Sequence, residues 1–342
     1  MNKLLTIVIP TYNMQDYLHR CLDSLVVPDE QMALFEVLVI NDGSKDNSSV
    51  IAHEYETNYP LTFHVIDKEN GNYGSCINRG LVEASGKYIK VLDADDWFDT
   101  KNFKTFIEFL KETDADLIIS DFDQVDIENK VLNHIHYELE RSNLTLQAIP
   151  KRKLFLMHAV TYRTKNLRDI NYHQTEGISY TDQEWIFRPM ATVKSIKYFG
   201  HVVYKYLIGR EGQTMEPAVF YKNFSHEMQG TETMMKEYEE IAATLGNEHL
   251  NYLTWRLQTR IYLVYSAFLL KGDITLGMDV LDAFDKTIKE KYPLSYELSD
   301  TMKISKRIPI RFIHRYRRCH SRNTLELLLY RLYIKIRLNT RE

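Results

Sequence analysis

Cysteine is scarce in this chain. Three of the 342 residues are cysteines, Cys21, Cys76 and Cys319, and they are widely separated and odd in number. Such a set builds neither a disulfide framework nor a zinc site, and it points to a reducing compartment. Long hydrophobic runs are missing too. No stretch reaches the ~20 apolar residues of a membrane-spanning helix, and residues 4–9 are too short for the core of a secretory leader. There is no internal repeat and no low-complexity tract. Nucleic acid fits poorly as a partner, because the formal net charge is −4 and no recognised binding motif is present. The expectation is a cytoplasmic protein. Its apolar (44%) and charged (26%) shares are those of a soluble globular chain, long enough for one large domain or two ordinary ones.

What is present first is alternation. Residues 4–9, 35–40, 63–66 and 88–92 are apolar and read as strands, each followed by helical spacing. That order implies βαβ units and a mainly parallel sheet flanked by helices. Polar residues stand at every strand's carboxyl end: Thr11 and Asn13, then Asp42, then Asn70, then Asp93 and Asp95. Open α/β sheets bind ligands at those ends, so one crevice accounts for all four. Residues 115–120 read as another strand, 121–147 as antiparallel strands or an excursion, 177–190 as a turn and a helix, and 196–206 as two short strands around Gly200. Beyond about residue 217 the spacing is helical, over 221–245, 249–270, 276–289 and 324–338. A boundary after Met215 gives a first domain of 1–215 and a smaller α-helical region of 216–342.

The fourth strand ends in Asp93-Ala94-Asp95-Asp96-Trp97. Asp93 and Asp95 are two apart and project to one side if extended. Close carboxylates repel unless a proton or a cation lies between them. Three together favour a hard divalent ion, Mg2+ or Mn2+, which completes its shell with water and substrate phosphate. The competing reading is an acidic helix start, since Asp caps helices and residues 97–110 have helical spacing. At the other end, residues 301–342 carry twelve Lys or Arg and two Glu, a net +10, which leaves −14 for the rest. Apolar residues are interleaved with the basic ones. Such an end suits an anionic membrane surface, at the inner face, or a polyanionic partner; packing on the chain's own domain, or a homo-oligomer interface, is the alternative.

Several motifs, in order, resemble family 2 glycosyltransferases of the GT-A fold: Val8-Ile9-Pro10-Thr11-Tyr12-Asn13, Asn41-Asp42-Gly43-Ser44-Lys45-Asp46, Asn78-Arg79-Gly80-Leu81 with Gly86-Lys87-Tyr88, and Leu92-Asp93-Ala94-Asp95-Asp96. Thr181-Asp182-Gln183-Glu184-Trp185 is similar to the family's second acidic motif, and residues 206–215 to the segment that follows it in bacterial polysaccharide enzymes. The resemblance implies a GT-A, Rossmann-like sheet and an inverting transfer from a UDP-sugar to a saccharide, teichoic-type or lipid-linked acceptor. It implies that Pro10, Thr11 and Tyr12 border the base, that Asp42 accepts from the uracil imide, and that Asn70, Asn78 and Ala94 line the donor. Asp93 would lie near the ribose or metal, Asp95 would hold Mn2+ or Mg2+ on the diphosphate, and Asp182 would be the general base, with Glu184 as substitute. Many members carry Arg where this chain has Ile77; Lys68 or Asn70 would replace that contact. Gly71 and Gly74 would allow close backbone approach to the donor.

His201, Arg210 and Gln213 are expected near the acceptor, and His158 and His173 as satisfied structural histidines. Two other readings compete. A sugar-nucleotide pyrophosphorylase shares the sheet and metal site, but would carry a glycine-rich basic loop after the first strand. A non-catalytic UDP-binding scaffold at a membrane surface would not need an intact Asp182.

Overall fold

The computed structural model describes residues 3–150, 153–210, 212, 213, 216–271, 276–321, 324, 325 and 327–332. The chain divides into two compact units, Met1–Gln213 and Thr214–Glu342.

The first unit is built on one sheet. Its strands are β1 (Leu5–Thr11), β2 (Phe35–Asn41), β3 (Phe63–Asp67), β4 (Tyr88–Val91), β5 (Trp97–Phe98), β6 (Leu117–Val125), β7 (Val131–Ile135), β8 (Val160–Arg163) and β9 (Ile196–Leu207). They lie in the order β3-β2-β1-β4-β8-β6-β9-β5, with β7 added beside β6. β3, β2, β1 and β4 run parallel. β8 is antiparallel to β4 and β6, and β9 returns parallel to β6. The sheet is therefore mixed, with the parallel block where the sequence alternates strand and helix. β2 and β4 are buried along their whole length, which is why they read as unbroken apolar runs.

Lys90 is the exception inside β4. It is fully buried, and its Nζ donates to the carbonyls of His158 (2.7 Å) and Val160 (3.2 Å). Burial pushes its pKa down to about 7.

Three differences from the sequence reading have clear causes. Trp97 and Phe98 form a strand pair with Lys205 and Tyr204 rather than a helix start. The helix begins at Thr100 and is capped by Asp99, whose Oδ1 accepts from Asn102 N at 3.0 Å. Its buried face is Phe103, Phe106, Ile107 and Leu110, each contributing roughly 1.5–3 kcal/mol by leaving water. Second, β9 is continuous through Gly200, because register shifts against β6 around Asp121 absorb the irregularity. Third, the helix expected over 177–190 shrinks to Asp182–Trp185 and a 3-10 turn, Arg188–Thr192.

The second unit is helical. Its long elements are Phe224–Ile241, Asn247–Ser266 and Met278–Lys291, with shorter helices Pro217–Lys222, Pro293–Asp300 and Phe312–Cys319. Asn247–Ser266 supplies the core through Leu253, Leu257, Ile261, Val264 and Tyr265. Arg317 ties the last helix down, stacked over Tyr296 (3.6 Å) and bonded to Asp285 (2.8 Å). Of the terminal helix expected over 324–338, residues 327–332 are helical; 333–338 lie outside the described residues. The first unit has no membrane-length helix and neither does the second: among the described residues no helix is long and apolar enough to cross a bilayer.

Candidate active site

The carboxyl ends of β1 and β2 meet first. Asp42 N donates to Thr11 O (2.8 Å), and Gly43 then turns through a positive φ of 73°. The buried Asp42 carboxylate accepts from Gly71 N (2.9 Å) and pairs with Lys68 Nζ, while Asn70 Nδ2 donates to Asp42 O (2.9 Å). Lys68 also reaches Ser75 Oγ (2.8 Å). Pro10 and Thr11 end β1, and Tyr12 lies exposed on the rim. Tyr12, Gly43, Lys45, Lys68 and Asn70 line a cleft of about 490 Å³. Pro10, Thr11, Tyr12, Asp42 and Asn70 are thus brought together.

The acidic turn follows β4. Asp96 N donates to Asp93 O (3.0 Å), closing residues 93–96 on themselves. Tyr73, from the helix Asn72–Glu83, donates to Asp93 Oδ1 (2.8 Å). Tyr204 on β9 donates to Asp96 Oδ2 (2.6 Å), and Leu207 N donates to Asp96 Oδ1 (2.7 Å). Asp95 is paired with Arg210, three residues beyond β9. Ala94 is buried between them. None of the three carboxylates caps the following helix, since Asp99 does. Burial first, then the neighbouring Asp95 charge, pushes the Asp93 and Asp96 pKa values up.

That crowding is relieved by positive charge, and the donor set fits a hard divalent ion. Asp93, Asp96 and His158 each offer a ligand atom, all within 4.8 Å of one another. The two carboxylates suit Mg2+ or Mn2+, and the imidazole is a softer donor beside them. The trio differs from the expected Asp93–Asp95 pair, because Asp95 spends its carboxylate on Arg210. Asp96 already has hydrogen bonds on both oxygens, while Tyr73 holds Oδ1 of Asp93 and Arg210 holds Oδ2 of Asp95. His158 is also not the satisfied histidine expected. It is buried and stacked on Tyr206 (4.2 Å), and its Nδ1 has no hydrogen-bond partner. Burial pushes its pKa down to about 3, so it is a neutral imidazole.

Asp182 comes from the loop after β8, at the start of Asp182–Trp185. It is near enough to Asp93 for its charge to add to the rise in the Asp93 pKa. Gln183 Nε2 donates to its Oδ2 (2.7 Å). Glu184 is different: it is buried, its Oε2 accepts from Thr175 N (2.8 Å), and burial pushes its pKa up to about 7. That carboxylate is thus anchored to the backbone at Thr175, whereas Asp182 is half-buried.

Asn78 and Gly74 act on the same loop. Asn78 Oδ1 accepts from Gln174 N (2.8 Å), and its Nδ2 donates to Gln174 O (2.9 Å) and Glu176 Oε1 (2.8 Å). Gln174 in turn donates to Thr181 Oγ1 (2.9 Å), next to Asp182. The amide expected to line the donor is spent on the chain's own backbone. At Gly74 a Cβ would lie 2.0 Å from Thr175 O, so the close approach there is also to protein. Replacing Asn78 by Ala is expected to cost about 1–3 kcal/mol of stability by stranding these backbone groups, with faster hydrogen exchange over 173–181. Unchanged stability with a raised donor KM would instead make Asn78 a donor contact.

His201 sits mid-strand on β9 against Phe199 (5.0 Å), away from the strand end. Gln213 fastens the segment carrying Arg210, donating to Leu207 O (2.7 Å) and accepting from Gly209 N (3.0 Å).

Comparison with known proteins decides the family. The family 2 glycosyl transferase profile matches residues 6–171, a span that holds Asp42, Asn78 and the whole acidic turn. Residues 6–171 belong to glycosyl transferase family 2. An "uncharacterized glycosyltransferase" of Mycoplasma genitalium is 40% identical over 121 residues, 35% of this chain and 39% of that protein. The poly(ribitol-phosphate) beta-N-acetylglucosaminyltransferase TarS of Staphylococcus aureus is 25% identical over 215 residues, 62% of this chain and 37% of TarS. The chain thus matches well under half the length of both relatives. The crystal structure of S. aureus TarS residues 1–349 superposes with a TM-score of 0.66 at 20% identity, covering 96% of this chain and 89% of that one. Its complex with UDP-GlcNAc gives 0.57 at 18% identity, covering 86% and 90%. The likeness establishes a GT-A fold for this chain.

Sequence reasoning missed four side chains around the acidic turn. Tyr73, Lys90, His158 and Tyr204 are scattered over the chain, and only the sheet order β4-β8-β6-β9, with the helix bearing Tyr73 beside it, gathers them. Lys90 alone left a signal, as a charge inside an apolar strand.

Proposed function

We propose that this protein transfers a hexose or N-acetylhexosamine from a UDP-sugar to a hydroxyl of a saccharide, teichoic-type or lipid-linked acceptor, with inversion. The observation that supports the reading is that Asp42 and the 93–96 turn stand at the carboxyl ends of the parallel strands β2 and β4, with the Asp182 charge felt at Asp93. That TarS was solved with UDP-GlcNAc adds support. Residues 1–215 would hold the donor and 216–342 form the accessory region.

Asp42 suits the uracil imide, whose N–H is flanked by carbonyls. Asp42 is preset by Gly71 N, and Lys68 beside it keeps a positive charge at that end. A Mn2+ or Mg2+ ion held by Asp95 and Asp93 would stabilise the charge growing on the departing diphosphate. Tyr73 fixes Asp93, and Arg210 gives Asp95 a cation until other charges arrive. The acceptor hydroxyl gives its proton to the Asp182 carboxylate as its oxygen bonds to the anomeric carbon. The bond from that carbon to the phosphate oxygen breaks, and UDP leaves with the electron pair.

The test is a UDP-release screen over UDP-Glc, UDP-Gal, UDP-GlcNAc and UDP-GalNAc, each with Mn2+ or Mg2+. Release from one donor, abolished by chelation, is the expected result. Tight UDP binding with no release from any donor would favour the scaffold reading. Formation of sugar nucleotide from UTP and a sugar phosphate would favour the pyrophosphorylase, although Pro10-Thr11-Tyr12-Asn13 is not a glycine-rich basic loop.

A further inference from the structure

Four leucines near the end of the described chain stand exposed to solvent. Leu325, Leu328, Leu329 and Leu332 are 71%, 45%, 57% and 56% exposed. Their spacing is i, i+3, i+4, i+7, so on a helix they form one stripe, and residues 327–332 are helical. Leu327 is fully buried. The helix is therefore seated on the protein through Leu327 and presents the leucine stripe outward. Single exposed leucines are ordinary, but four on one stripe mark an interaction face.

The surroundings state which partner fits. From Thr301 to Leu325 there is no acidic residue. Lys303, Lys306, Arg307, Arg315 and Arg318 are all exposed, and Arg311 is exposed while sharing its charge with Asp300 (2.6 Å). An apolar stripe beside a purely basic segment matches the boundary of an anionic bilayer, where acyl chains take the leucines and headgroup phosphates take the cations. A protein groove would need no such one-sided charge. The net charge of −14 on the remaining chain confines the attraction to this end.

We propose that the leucine stripe 325–332 and the basic segment 303–318 together dock the protein on an anionic membrane surface. This goes beyond the transfer reading and does not depend on it. The full-length protein would be sedimented with phosphatidylglycerol–phosphatidylcholine vesicles and with pure phosphatidylcholine vesicles. Retention on the anionic vesicles alone, weakening as salt shortens the screening length, is the expected result. The combined Leu325→Gln, Leu328→Gln, Leu329→Gln and Leu332→Gln variant should lose at least about tenfold in partitioning. Lys306→Glu with Arg307→Glu, two side chains exposed to solvent, should lose about as much. Leu61→Gln, an equally exposed leucine elsewhere, should lose nothing. Undiminished vesicle binding by both multiple variants overturns the proposal. So does a dimer that the leucine variant dissolves while neither protein binds vesicles, which would make the stripe a contact between two copies.

Discussion

Asp182→Asn is expected to stop sugar transfer while leaving UDP-sugar binding intact. The amide keeps the size and the hydrogen bond to Gln183 but cannot take a proton. General-base catalysis contributes roughly 10²–10⁴ in rate, and kcat should fall by that amount with KM for the donor little changed. Asp182 is partly open to solvent and carries no backbone load, so the variant should melt where the parent does. Glu184→Gln makes the contrast. That carboxylate holds Thr175 N and is buried, so its replacement should lower stability more than chemistry. If Asp182→Asn turns over normally and Glu184→Gln does not, the base has been misassigned.

The second large effect is at Asp95. Asp95→Asn is expected to lower kcat/KM by on the order of 10²–10³ and to abolish the gain in UDP affinity on adding Mn2+. Titrating UDP with and without Mn2+ into both proteins reads this directly. Arg210 complicates the result, because it loses its ion pair with Asp95 in a largely buried place, and breaking a buried ion pair is costly. The Asp95→Asn, Arg210→Ala double variant separates the two effects. Should Mn2+ still strengthen UDP binding in the double variant, the ion is held elsewhere, and the Asp93, Asp96 and His158 trio becomes the place to look.

The parallel half of the sheet was readable because β1, β2 and β4 are buried runs bounded by polar turns, and each crossover helix follows its strand locally. The rest depends on partners distant in sequence. Trp97 has the spacing of a helical residue, and only Lys205 and Tyr204, more than a hundred positions on, make it a strand. Gly200 looks like a break, yet a bulge opposite Asp121 carries β9 through it. Around the site, motif order singled out Asp42, Asp93, Asp95 and Asp182. It could not show that Arg210 occupies Asp95, or that the Asn78 amide props up the 174–176 segment. Those are contacts between motifs, and no motif contains them. Lys90 and His158 escaped for the same reason: one is hidden in a strand, the other in an irregular segment, and each acquires meaning only beside the acidic turn.

The contact at Gly74 has a bearing on how such a protein can diversify. The carbonyl of Thr175 rests where a methyl group would otherwise be, so the helix bearing Tyr73 and the loop bearing Asp182 meet main chain to main chain. No exchange of side chains can lengthen or shorten that joint. It behaves as a fixed ruler between the helix of Tyr73 and the segment that leads to Asp182, the two ends that the proposed transfer would use. Preference for one sugar over another would then have to drift through walls that are free to change, such as Met157, whose sulfur touches the Tyr73 hydroxyl at 3.4 Å, while the span across which the bond is exchanged stays constant.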